Sequence, residues 1–246
     1  FNFSLYPDWW AFPLISIAIT LLGLLIGFLF LGFIKNRQEK LQFLSLAAFQ
    51  NSGYLPLALI TALLPQDKIG LMFIYLFLFF LGFNIVIFSL GMYLLASSNT
   101  KKFELSSLFS VPVIATIISL LFVFFGLNKF VPEFIFSPLK MIGNCTMPLA
   151  MLVVGGSLAK IHLSHIDKKA ISLLVLVKLI ILPALGFFCV IKFKMPPLIG
   201  LLILLELAVP SATTLSLIIR HAKKEDLLIS QGIFFSHILS IITLHL

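Results

Sequence analysis

The sequence predicts an all-α membrane protein with eight transmembrane helices, and three observations carry that expectation. Hydrophobic residues make up 61% of the 246-residue chain and charged residues only 11%, against about 25% charged in a water-soluble domain. With a mean hydropathy of +1.17 the chain cannot cover its exterior with polar groups, so lipid has to face much of it. Apolar runs long enough to cross a ~30 Å hydrocarbon core, roughly 20 residues each, recur eight times.

In order, the spans are A 10–34, B 41–64, C 69–96, D 108–126, E 134–158, F 170–191, G 197–219 and H 227–246. The loops between them alternate in charge. A–B carries Lys35, Arg37 and Lys40, C–D carries Lys101 and Lys102, E–F carries Lys160, Lys168 and Lys169, and G–H carries Arg220, Lys223 and Lys224. The intervening loops hold mainly Asp67 with Lys68, Lys129 with Glu133, and Lys192 with Lys194. The richer set belongs in the cytoplasm, which puts residues 1–9 and the C-terminus outside an inner (cytoplasmic) membrane. Lys192, Lys194 and Lys140 run against that majority. The net charge of +8 is thus spread over short loops and gives no patch for nucleic acid. Cys145 and Cys189 sit in apolar stretches and read as packing residues. His162 and His165 lack further ligands at metal-site spacing and read as solvated loop residues, so no metal or cofactor is expected.

Three spans carry breaks near their middles. B reads Gln50-Asn51-Ser52-Gly53-Tyr54-Leu55-Pro56, E reads Gly143-Asn144-Cys145-Thr146-Met147-Pro148, and G reads Glu206-Leu207-Ala208-Val209-Pro210-Ser211-Ala212-Thr213. Asn51 and Asn144 each lie about 15 Å into their spans, at the midplane. Backbone freed by proline is tolerated there only against protein or a polar cavity. B is the middle of the triple A–B–C and G the middle of F–G–H, and the two triples enter the membrane from opposite sides. Paired interrupted helices in inverted halves point to the central site of a secondary transporter.

Helices D and E precede the second triple and nothing precedes the first. If the halves match, two helices are missing before A, and the chain, which opens on Phe1, is expected to be a truncated form of a ten-helix (5+5) protein. Residues 1–96 are then the remainder of the first repeat and 97–246 the second.

The segment Asn51-Ser52-Gly53-Tyr54-Leu55-Pro56 resembles the asparagine–glycine–proline signature of the auxin efflux carrier family. So do Pro148-Leu149-Ala150-Met151-Leu152-Val153-Val154-Gly155 in E and Ala208-Val209-Pro210-Ser211-Ala212-Thr213-Thr214 in G. Phe88-Ser89-Leu90-Gly91 and the stretch from Ser236 to Thr243 look like the same family. The likeness runs from B to the end of the chain, and departs from the family at His245, where proline is expected. It implies a permease of two inverted five-helix repeats whose crossing helices are B and G. Members carry organic anions, auxin in plants and dicarboxylates such as malate or malonate in bacteria. The partners to expect are a small organic anion and the lipid bilayer, and a homodimer is compatible with this reading.

Lys178 on F and Glu206 on G stand about 12 and 13 Å into their spans, at depths a lysine stem can bridge. They read either as a proton- or cation-responsive pair beside the substrate or as a static ion pair. Glu206, Pro210 and Thr213 would share one face of a continuous helix. Substrate-binding candidates are Asn51, Gly53, Pro56, Asn144, Pro148, Pro210 and Thr213, with the two asparagine amides foremost. His237 and Asn84 read as interhelical hydrogen-bonding residues. An intramembrane enzyme fits poorly. There is no His-Glu-x-x-His motif, no aspartate lies inside a span, and Ser236 and His237 are adjacent and point apart on a helix. A sodium/bile-acid-type symporter fits the same architecture, with Gln50 and Glu206 as its candidate ligands, and a channel is less consistent with breaks in two inverted halves. Cysteine labelling should find positions 100 and 222 reactive only from the cytoplasm and position 67 only from outside, and the reverse pattern refutes the orientation.

Overall fold

Why the helices stop where they do largely determines this architecture. The computed structural model describes residues 8–96, 111–159, 167–221 and 227–244, and the loop residues Lys101, Lys102, Lys160, His162, His165, Lys223 and Lys224 lie outside them. Among the described residues the regular structure is helical, apart from one isolated antiparallel bridge between Gln50 and Ser211. Among the described residues, three helical runs, Ala11–Leu29, Gln66–Leu95 and Lys168–Lys192, are long and apolar enough to cross a membrane.

The first is α1 (Ala11–Leu29), whose outer face (Leu14, Leu21, Leu25, Phe28) is exposed as lipid requires. Asn36 then caps α2 (Arg37–Ala48), its side chain accepting from the Gln38 N–H at 3.0 Å, which satisfies one of the orphan donors of the first turn. At Phe49 the backbone turns extended (ψ 115°), and helix resumes only at α3 (Tyr54–Leu63). Pro56 stands in the first turn of α3, where its missing N–H costs nothing. The interruption of B therefore lies at residues 49–53 and precedes Pro56, which begins the new helix and does not break the old one.

The second long run is α4 (Gln66–Val86), a π-helical turn at Ile87–Gly91, and α5 (Met92–Ala96). α6 (Val111–Phe124) ends at Gly126, whose φ of +69° reverses the chain, a conformation open to glycine at little cost. α7 (Glu133–Asn144) and α8 (Thr146–Ala159) divide span E at Cys145. Asp167 caps α9 (Lys168–Leu176), accepting from the Lys169 and Ala170 N–H groups. A second π-turn, Val177–Ile181, leads into α10 (Leu182–Lys192). Pro183, the second residue of α10, cannot donate to Leu179, and the widened turn absorbs that missing bond. α11 (Pro197–Ala208) stops as Val209 turns extended (ψ 150°), the conformation imposed on a residue preceding proline. α12 (Thr214–His221) and α13 (Leu227–Thr243) complete the chain.

The elements of A–B–C and F–G–H pack into one body. α1 lies on α2 and α4, α13 on α2 and α9, and α11 on α4 and α10. Its core, including Phe43, Leu46, Phe49, Leu174, Val177 and Ile229, surrounds the two interruptions. α6 touches α4 and α8 touches α3, while the side chains described on α6–α8 are mostly exposed. Cys145 is exposed as well, so it does not fill the packing role expected of it.

Two glycines set the spacing of this body. A Cβ at Gly23 on α1 would come within 2.8 Å of the Ala48 Cα, so α1 lies flush on the end of α2. A Cβ at Gly82 on α4 would collide with the Pro13 carbonyl and the Ser16 hydroxyl of α1, whereas Gly70 on the same helix has nothing within 4 Å. Gly82→Ala should therefore lower stability by about 1–3 kcal/mol while Gly70→Ala does not, as judged by thermal unfolding of the detergent-solubilised chain.

Candidate functional site

Each interrupted helix exposes backbone groups that its own turns cannot satisfy, and the two interruptions meet. The Asn51 N–H donates to the Pro210 carbonyl at 2.8 Å, and the Ala212 N–H donates to the Phe49 carbonyl at 2.9 Å. This pair of bonds flanks the Gln50–Ser211 bridge. The remaining free carbonyls of α2 draw side-chain donors. The Ser211 hydroxyl donates to Leu46 at 2.8 Å and the Lys178 ammonium to Ala47 at 3.3 Å. A cation at the carbonyl end of a helix also meets the negative end of its dipole. The Ser211 N–H in turn donates to the Ser236 hydroxyl at 3.3 Å.

Buried polar side chains crowd this junction. Gln50, Ser52 and Glu206 are fully buried, and Lys178 is 1% exposed. Glu206 lies within electrostatic reach of Lys178 and beside Ser52 and Gln50. Among the described residues, neither carboxylate oxygen of Glu206, neither polar end of the Gln50 amide, nor the Ser52 hydroxyl meets a partner in hydrogen-bonding geometry, although Ser52 and Gln50 lie close enough to act on the carboxylate. Lys178 and Glu206 thus share one buried field without a direct contact, since the ammonium is turned to the end of α2. Asn51, 4% exposed, engages His237 of α13, its Nδ2 lying 3.1 Å from the ring Nε2.

The structure brings together Asn51, Pro210, Glu206 and Lys178 of the residues singled out in the sequence. Thr213 is buried just before α12, Pro56 is buried in α3, and Gly53 precedes α3 with the Phe80 ring 3.3 Å from the place of a Cβ. Asn144 and Pro148 are exposed, at the end of α7 and the start of α8, and do not join the buried group. The continuous face expected for Glu206, Pro210 and Thr213 does not exist, because helix stops at Ala208. His237 does bond across helices. The bond described for Asn84 stays on its own helix, its amide donating to the Phe80 carbonyl one turn back at 2.7 Å. Ser52, Ser211 and Ser236 lie in stretches the sequence marked but were not themselves among its site candidates, since serines are common in membrane helices. Among the described residues no group of three or more metal-ligating side chains forms a metal site. A separate polar cleft, lined in part by Asn36, Glu39, Gln42, Asp167 and Gln231, lies near the start of α2.

An all-α membrane body whose two interrupted helices join around buried polar groups is the build of a membrane transporter. The family model described as membrane transport protein matches residues 4–246, and the chain belongs to that family, the auxin efflux carriers. No curated protein and no solved structure matches it.

Removing Lys178 would leave Glu206 without the cation that shares its buried field and uncap α2. Lys178→Met should cost about 3–5 kcal/mol, and Lys178→Met combined with Glu206→Leu markedly less than that. A double-mutant cycle on thermal unfolding measures the difference, and simple additivity would show the two side chains to be independent.

Proposed function

We propose that the chain is a secondary permease that moves a small organic anion across the cell membrane by alternating access, with the junction of the two interrupted helices as its binding site. The observation that carries this reading is the backbone lock between Asn51 and Pro210 and between Phe49 and Ala212, set among buried polar groups. Unwound backbone at membrane depth persists only against protein or a polar cavity, and two such helices meeting is the arrangement of a secondary transporter's central site. The N-termini of α3 and α12 both begin at the junction, and their positive dipole ends favour an anion. In this reading eight spans form two inverted halves, residues 1–96 and 97–246, and Asn51 contacts the substrate. Glu206 and Lys178 couple its passage to a proton or cation.

Sodium coupling is the second reading, and one observation favours it: Gln50, Ser52 and Glu206 gather side-chain oxygens in one buried place and, among the described residues, outside ideal hydrogen-bonding geometry. Against it stands the Lys178 ammonium in the same field, which repels a bound cation.

The test is uptake of labelled mono- and dicarboxylates, malonate among them, by vesicles carrying the chain, under a proton gradient and with sodium present or replaced. Glu206→Gln should remove the response to the proton gradient and leave substrate exchange, while Asn51→Ala should lower both by about tenfold, the loss of one hydrogen bond to a charged group. Gradient-driven uptake unchanged in Glu206→Gln would assign Glu206 a structural role, and a strict sodium requirement would favour the second reading.

A further inference from the structure

What Asn51 can offer a ligand is decided on α13. Both ring nitrogens of the buried His237 are engaged, Nδ1 with the Ile233 carbonyl at 2.8 Å and Nε2 with Nδ2 of Asn51 at 3.1 Å. A carbonyl oxygen only accepts, so Nδ1 carries the hydrogen; an amide nitrogen only donates, so Nε2 is the bare acceptor. One state satisfies both bonds, the neutral Nδ1–H tautomer. The Ile233 carbonyl also accepts from the Ser236 hydroxyl at 3.0 Å. Two adjacent side chains of α13 are therefore tied to one carbonyl, and each reaches a different interruption. Ser236 meets Ser211 of G and His237 meets Asn51 of B.

We propose that His237 is a positioning residue that sets the polarity of the Asn51 amide. It commits one Nδ2 hydrogen to α13 and leaves Oδ1 with a single Nδ2 hydrogen as the capacity for a ligand. One acceptor beside one donor matches an acid group that can also donate, such as a monoprotonated dicarboxylate or a hydroxy acid. It matches less well a bare carboxylate, which only accepts. The ligand class rests on the permease reading; the tautomer and its effect on Asn51 do not.

Two measurements test this on the full chain in lipid nanodiscs. Nitrogen NMR with isotope-labelled histidine should show His237, assigned by loss of its signals in His237→Gln, protonated at Nδ1 and bare at Nε2. Asn51→Leu should move the Nε2 resonance and leave Nδ1 in place. An Nε2–H tautomer, or an Nε2 indifferent to Asn51→Leu, overturns the proposal. The second measurement is binding of radiolabelled malonate. His237→Gln, whose carbonyl can still accept from Asn51, should stay within about threefold of the unaltered chain, while His237→Leu should fall about tenfold, one hydrogen bond. Equal effects of Gln and Leu would reduce His237 to packing and overturn the proposal. If the unaltered chain binds no malonate, the ligand class fails and the tautomer measurement alone decides the positioning role.

Discussion

Backbone polar groups buried away from water must find partners, and this constraint organises the protein around one small junction. A break in a single helix at the bilayer centre would strand N–H and C=O groups at several kcal/mol each. Here two broken helices supply one another through two backbone bonds. The rest of the body serves that exchange. Gly23 lets α1 press against the end of α2, the π-turn before Pro183 carries Lys178 at the depth of the Ala47 carbonyl, and Ser211 and Ser236 take up groups the bridge leaves over.

The two sides of the junction are unequal. The carbonyl end of α2 is well supplied, with a hydroxyl, an ammonium and a backbone N–H each meeting a different oxygen. The acidic side is the reverse, with the side-chain polar atoms of Glu206, Gln50 and Ser52 buried close together and, among the described residues, outside hydrogen-bonding geometry. Satisfied groups hold a structure in one arrangement, whereas buried groups without partners are costly unless something else meets them. The junction thus combines a rigid seam with an adjoining set of side chains whose hydrogen-bonding capacity is uncommitted.

Much of this could be read from residue order, and the failures have physical causes. Asn51, Glu206, Lys178 and Pro210 stood out because amides, charges and prolines are expensive at membrane depth, and the structure gathers all four. Pro56 marks the interruption of B without causing it, since proline suits a first turn as well as it disrupts an interior. Asn144 and Pro148 carry the same signals as Asn51 and Pro210, yet they remain on the exposed helices α7 and α8. Composition reports that a break exists but not which partner comes to meet it. The serines within those motifs were passed over for the opposite reason, because a hydroxyl can satisfy itself on its own helix and only tertiary geometry reveals those that do otherwise. The flip from helical to extended backbone at Phe49 depends on a partner far along the chain, so no local propensity encodes it.

That distance matters for how the protein is made. The Leu46 carbonyl and the Ser211 hydroxyl that caps it are 165 residues apart. A ribosome delivers helices to the membrane in order, so the first interrupted helix enters the bilayer long before the second exists. Until then its open carbonyls have to be met by water, by lipid headgroups or by the insertion machinery, or the segment has to wait as an unbroken helix. Assembly of this fold is therefore gated by arrival of the second interrupted helix. The nascent chain is most vulnerable to misfolding and proteolysis in the interval before G is synthesised.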